Sequence, residues 1–129
     1  MNIEQTLNKA VSILFENNIQ NPYLDSEILL SKVINKDRKY ILLNSKENLK
    51  TVYLDRFNNF IKRRKKGEPI AYITNKKEFW KDTFYVNKNV LIPRPDTELI
   101  VEQALKYSSK DSQLQILDIG TGSGCILLS

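Results

Sequence analysis

Three glycines at alternate positions, Gly120, Gly122 and Gly124, follow an apolar run in which Asp118 is the one acidic residue. Glycine reaches positive φ without a Cβ clash and lets a ligand come close to the backbone. The run itself, Leu114 to Ile119, has the composition of a strand buried in a parallel sheet, and a helical start follows from 123. Strand, glycine turn and helix form the opening of a doubly wound α/β domain. This stretch therefore constrains the fold more than any other in the chain.

The spacing also sorts the ligands such a turn could take. A P-loop needs Gly-Lys-Ser/Thr after a longer loop, and here Cys125 follows Gly124. A dinucleotide fingerprint runs G-x-G-x-x-G, whereas this turn runs G-x-G-x-G. The D/E-x-G-x-G-x-G loop that holds S-adenosyl-L-methionine in class I methyltransferases is matched from Asp118 to Gly124 at every fixed position. That ligand brings no phosphate, which agrees with a loop free of Lys and Arg. A glycine turn without any ligand remains the alternative reading.

Upstream, the periodicity is helical. Ile3, Leu7, Ala10, Val11, Leu14 and Phe15 recur at three and four spacing, and Asn17-Asn18 ends the pattern. Asn21 reads as an N-cap and Pro22 as the first residue of a second helix, with Asp25 and Glu27 in its early turns. Ile28, Leu29 and Val33 are its expected buried face, and Arg38 to Leu43 is a short third helix. A fourth is expected from about Glu47, with Tyr53, Phe57, Phe60 and Ile61 on one face. Gly67 stands at its C-terminal cap, and Pro69 follows. Residues 1–67 thus read as a small all-helical domain.

The pattern then changes. Tyr72-Ile73, Glu78-Phe79-Trp80 and Phe84-Tyr85-Val86 are short β-type runs, with Lys81-Asp82-Thr83 as a hairpin turn. Val90-Leu91-Ile92 is stopped by Pro93 and Pro95. Residues 97–107 read as a helix carrying Ile100, Val101, Ala104 and Leu105, and 108–112 as a loop.

Composition narrows the classes. With 41% apolar and 27% charged residues in 129, the chain should fold. No stretch approaches a membrane span, and the N-terminus does not have the form of a signal peptide. One cysteine and no histidine leave neither an internal disulfide nor a Cys/His metal site, so a cytoplasmic location is expected. The net charge of +5 equals the five charges of Lys62, Arg63, Arg64, Lys65 and Lys66, and the rest of the chain sums to zero. Such a run reads as a solvated helix end, although five cations in a row exceed what a helix dipole needs.

The residues from about 63 to 126 resemble the HemK-type protein-(glutamine-N5) methyltransferases that modify peptide chain release factors. Four pieces carry the resemblance in the family's order: Gly67 to Ile73, Glu78-Phe79, Leu91 to Glu98, and Asp118 to Gly124. The proline-bracketed stretch from Pro93 to Glu98 is the most discriminating of them. The resemblance is looser across the N-terminal helices.

The resemblance implies a helical docking domain (1–67), a β-hairpin linker (68–95) and the opening β-α unit of a Rossmann-like class I methyltransferase α/β domain (96–129). It also implies methylation of a glutamine side-chain amide of a release factor, with S-adenosyl-L-methionine held by Asp118, Gly120, Thr121, Gly122, Ser123 and Gly124. Arg94, Asp96 and Glu98 would support the active site, and Arg63, Arg64, Lys65 and Lys66 would dock the partner. Ribosomal or RNA proximity through the basic run, no membrane and a monomeric state complete the expectation. Local helix physics gives Asp96 and Glu98 a second reading, as first-turn carboxylates favoured by the dipole, with Arg94 pairing with Glu98.

The amide nitrogen of glutamine is a poor nucleophile, so catalysis must come from positioning. The resemblance assigns that work to an Asn-Pro-Pro-Tyr box that this chain does not contain. Asn21-Pro22-Tyr23 lacks one proline and precedes the glycine loop, and its helix-cap reading is sufficient. The chain by itself is therefore expected to be inactive and to bind the cofactor weakly. Two positions depart from the family pattern: Asn75 stands where glycine is usual, and Cys125 where a small alanine-like residue is usual. Two rival readings stay open. One is an adenine-N6 nucleic-acid methyltransferase, which would want a broader basic surface with exposed aromatics. The other is a non-catalytic helical binding module, should Ser129 be a true terminus.

Overall fold

The computed structural model describes residues 1–108 and 115–129. The chain divides into two compact units, Met1–Thr74 and Asn75–Ser129.

The first unit is helical. Helix α1 (Ile3–Glu16) opens on a capping box: Asn2 accepts from Gln5 N at 2.8 Å, and Gln5 accepts from Asn2 N at 3.2 Å. Helix α2 (Pro22–Ile34) starts at the expected proline, but Asn21 makes no side-chain cap bond, so the proline and not the cap defines this start. Helix α3 (Arg38–Leu43) lies where the sequence puts it, capped by Asp37 onto Tyr40 N at 2.7 Å.

Helix α4 (Thr51–Arg64) begins four residues later than expected. The intervening residues are engaged otherwise. Ile3 N donates to Glu47 O, Glu4 N to Ser45 O and Leu49 N to Met1 O, and Asn2 pairs with Asn48 in an isolated antiparallel bridge. Residues 45–49 thus serve as a backbone partner for residues 1–4. Beyond α4, Gly67 takes φ 87°, and its N–H donates to Arg64 O at 2.9 Å.

Tyr72-Ile73, expected as a β-type run, belongs instead to helix α5 (Ile70–Thr74). Pro69 O accepts from both Tyr72 N and Ile73 N, and Thr74 Oγ1 donates to Ile70 O. Ile70 and Ile73 then stand one turn apart and pack into the helical core. That burial outweighs the β-preference of two short residues. The core comprises Ile3, Ala10, Leu14, Leu29, Leu30, Val33, Ile41, Phe57, Ile61 and Ile73.

The second unit holds a hairpin of β1 (Lys77–Phe79) and β2 (Asp82–Phe84), antiparallel, with Phe79 opposite Asp82. The turn is Trp80-Lys81, one residue before the expected Lys81 to Thr83, and Trp80 takes φ 56°. Asn75 takes φ 55°, the left-handed region that Asn tolerates, and its Nδ2 donates to Val86 O at 3.0 Å. A 3-10 turn at Pro95–Thr97 leads into helix α6 (Glu98–Tyr107). One helical turn, α7 (Cys125–Leu128), follows the glycines. Phe79, Phe84, Val101 and Cys125 form a separate buried cluster, with Trp80 and Ile126 packed against it.

The expected strand from Leu114 to Ile119 is not formed: residues 115–119 carry no strand, and Leu114 lies outside the described residues, as do 109–112 of the expected loop. Ile116, Leu117 and Ile119 are 65%, 83% and 88% exposed. A strand needs a neighbour's donors and acceptors. Among the described residues the one sheet is the β1–β2 hairpin. The parallel sheet on which the Rossmann-like expectation rests is therefore absent from these residues.

Candidate functional site

The glycine turn has a definite shape. Gly120, Gly122 and Gly124 take φ 83°, 56° and 76°, so all three alternate positions lie in the left-handed region. Gly124 is the residue before α7, and its N–H donates to Thr121 O at 2.8 Å. A Cβ at Gly124 would lie 3.3 Å from Leu128 Cδ1, whereas one at Gly120 would meet nothing within 4 Å. Thr121 is exposed.

Two polar atoms beside this turn are buried and unpartnered: Asp118 Oδ2 and Ser123 Oγ. Buried polar atoms are nearly always hydrogen-bonded, and exceptions call for a reason. Donor groups of a ligand seated on this turn, whose backbone carries no side chains at 120, 122 and 124, are one way to satisfy them. The residues present therefore fit the group that the loop's spacing suggests. Cys125, next in sequence, is buried in the apolar cluster.

Of the Pro93 to Glu98 stretch, Arg94 and Asp96 are exposed and Glu98 is half-buried. Glu98 does not pair with Arg94. Its Oε1 accepts the Trp80 backbone N–H at 2.9 Å, eighteen residues back. No local spacing signals such a bond, and Trp80 was not singled out by the sequence.

The basic run divides into two parts. Arg63 makes a two-pronged pair with Glu68, Nε to Oε2 at 2.8 Å and Nη2 to Oε1. This bond holds the Glu68 carboxyl below its ordinary range and raises the Arg63 guanidinium. Arg64 Nε donates to Asp25 Oδ2 at 2.7 Å, and its Nη1 to Glu68 O at 3.2 Å. Lys62, Lys65 and Lys66 are exposed and in no ion pair among the described residues. Asp25, expected as an early-turn carboxylate, is buried. It shares a stripe with Leu29 and Val33 four and eight residues on, a signal that could have marked it.

Elsewhere on the helical unit, the Tyr40 hydroxyl donates to Glu47 Oε2 at 2.5 Å, a bond that raises the phenol's pKa. Among the described residues no helix is long and apolar enough to cross a membrane, and no group of His, Cys, Asp and Glu could hold a metal.

Comparison with known proteins adds the following. Residues 5–74 match the family model described as the PrmC N-terminal domain. A release factor glutamine methyltransferase of Buchnera aphidicola (subsp. Schizaphis graminum) is 46% identical over all 129 residues, which cover 46% of that relative. One from Clostridium acetobutylicum is 44% identical over the whole chain and 45% of its own length. A bifunctional methyltransferase of Rickettsia conorii is 39% identical over 98% of this chain and 29% of its own length. The chain thus spans less than half the length of these curated relatives.

Proposed function

The chain belongs to the PrmC N-terminal domain family, and from that premise we propose that it is the N-terminal part of an S-adenosyl-L-methionine-dependent enzyme that methylates a glutamine side-chain amide of a peptide chain release factor. The observation that carries this reading is identity of 44–46% over all 129 residues, glycine turn included, to relatives bearing that name. Residues 1–67 would dock the release factor, 68–95 would link, and 96–129 would begin the cofactor domain. The substrate is a cytoplasmic translation protein, so the reading carries that location with it.

In this reading Asp118, Gly120, Thr121, Gly122, Ser123 and Gly124 hold the cofactor, and the two unpartnered atoms at Asp118 and Ser123 support it. When bound, the cofactor supplies an electrophilic methyl group on a sulfonium. The chain's own contribution is a backbone that can be approached closely and two acceptors beside it. Arg94, Asp96 and Glu98 support the site from the 3-10 turn leading into α6 and its first residue. Because Arg63 and Arg64 are held by Glu68 and Asp25, docking charge falls to Lys62, Lys65 and Lys66. The acceptors that orient the glutamine amide would come from outside residues 1–129.

The test is a chimera. The corresponding N-terminal part of the Clostridium acetobutylicum relative is replaced by this chain, and transfer of labelled methyl to a release factor is measured. Turnover within about tenfold of the parent supports the reading. A folded chimera that binds the cofactor yet leaves the release factor unmethylated overturns it.

A further inference from the structure

Trp80 is an unusual residue to find at φ 56°. A bulky side chain adopts the left-handed region only when its surroundings over-determine it. Two contacts do so here. The Trp80 N–H, at the first position of a two-residue hairpin turn, donates to Glu98 Oε1 at 2.9 Å. The indole packs against the cluster of Phe79, Phe84, Val101 and Cys125, with Ile126 beside it. Glu98 and Val101 stand one turn apart on α6, so this helix meets the hairpin with a hydrogen bond and an apolar contact together.

The same cluster takes in Cys125, with Ile126 packed against it; these are the first two residues of α7 and directly follow Gly124. Trp80 and Cys125 thus belong to one apolar cluster, and the Trp80 backbone N–H is held by a carboxylate on α6. Among the described residues Glu98 hydrogen-bonds to Trp80 and to no residue of the turn itself, while α6 also packs on α7 through Val101 and Cys125.

We propose that Glu98 is a positioning residue: its carboxylate pins the Trp80 turn, and the pinned indole seats α7 and with it the glycine turn. The inference rests on the proposed cofactor role of that turn only for its consequence in catalysis. The seating itself is a property of this chain.

The sequence supplies its own reporters, since Trp80 is the one tryptophan and Cys125 the one cysteine. The rate at which Ellman's reagent modifies Cys125, 7% exposed in the structure, reads how well α7 is seated. In the full chain Glu98→Ala should raise that rate at least fivefold and red-shift the Trp80 emission. Glu98→Gln, which keeps an acceptor oxygen, should stay within about twofold of the parent. Trp80→Gly relieves the backbone strain but removes the ring, so it should also expose the thiol. In that background Glu98→Ala should add less than twofold.

The helical ellipticity and melting of the first unit are the control and should not change. An unchanged thiol rate in Glu98→Ala overturns the proposal. So does equal exposure in Glu98→Gln, which would mean that charge and not the hydrogen bond matters. A full effect of Glu98→Ala in the Trp80→Gly background, or exposure that comes only with loss of the helical signal, overturns it too. In the chimera, Glu98→Ala should raise KM for the cofactor severalfold and change kcat less; a fall in kcat alone counts against it. Should the parent chimera fail to methylate, the functional reading fails, while the thiol rates still decide the role of Glu98.

Discussion

Arg64 reaches thirty-nine residues back along the chain to Asp25, Nε to Oδ2 at 2.7 Å, joining the end of α4 to the first turn of α2. Their side chains are only 19% and 10% exposed. A charge left alone in such a place has lost its partner without regaining water. Arg64→Ala should therefore lower unfolding stability by about 3 kcal/mol, read from urea denaturation. A loss below about 1 kcal/mol would place the pair with ordinary surface contacts.

The three neighbouring lysines should behave in the opposite way. Changing Lys62, Lys65 and Lys66 together to Gln removes no ion pair and should leave stability within about 0.5 kcal/mol. Binding of a release factor should weaken, and more at low salt than at high salt. Binding unaffected at low salt would leave the lysines as a solvated helix end.

Glu68 gives the helical unit an acid limb. The bond from Arg63 holds its carboxyl below the ordinary range in the folded chain. Unfolded, it titrates in that ordinary range, so the unfolded state binds more protons as pH falls. The stabilisation is fully present above the ordinary carboxylate range and is lost as pH drops through the folded value. Both side chains are about one-third exposed, so solvent screening keeps the effect small. Stability of Glu68→Gln measured against pH should show a shallower acid limb than the parent. Parallel limbs would contradict the linkage.

The compact helical unit runs to Thr74, and α5 belongs to its core through Ile70 and Ile73. A chain ending at Thr74 should melt cooperatively. One ending at Gly67 loses the burial of Ile73 and the Arg63–Glu68 pair, and should be less stable by at least about 2 kcal/mol. Equal stability would make α5 a passenger.

Titration of residues 1–129 with S-adenosyl-L-methionine should show no binding in the micromolar range. The turn has its backbone shape, but among the described residues 115–119 form no strand, and Ile116, Leu117 and Ile119 are exposed. Micromolar binding by calorimetry would mean that the turn and α6 suffice.

What the sequence reveals and what it hides follow one distinction. Helices α1, α2 and α3 were readable because their signals are local: apolar spacing, a proline at N1, a short run between Asp37 and Asn44. The β-type reading of Tyr72-Ile73 failed because their conformation is decided by the core that receives Ile73, not by the two residues themselves. The hairpin was legible, yet its turn fell one residue early, because Trp80 is held at positive φ by a carboxylate eighteen positions away. The strand from Leu114 failed for a related reason, since a strand is a pairwise object. For the candidate site, three alternating glycines forecast a turn that admits close approach, and the left-handed φ values at all three supply it. The division of the basic run into held arginines and open lysines was invisible, as it depends on Asp25 and Glu68 arriving from elsewhere.

The backbone bonds between residues 1–4 and 45–49 bear on the order of events during synthesis. A ribosome makes Asn2 some forty-six residues before Asn48, its partner in the bridge. At about 5–20 residues per second, the start of α1 waits roughly 2–9 s for the strand-like segment that completes it. Until then Ile3 has no complete core to enter, and its neighbours' donors face water or a chaperone. The helical unit cannot be assembled strictly from its N-terminus forward. The tie between residues 1–4 and 45–49 forms once Leu49 clears the exit tunnel, and α4 and α5 then complete the core with Phe57, Ile61 and Ile73.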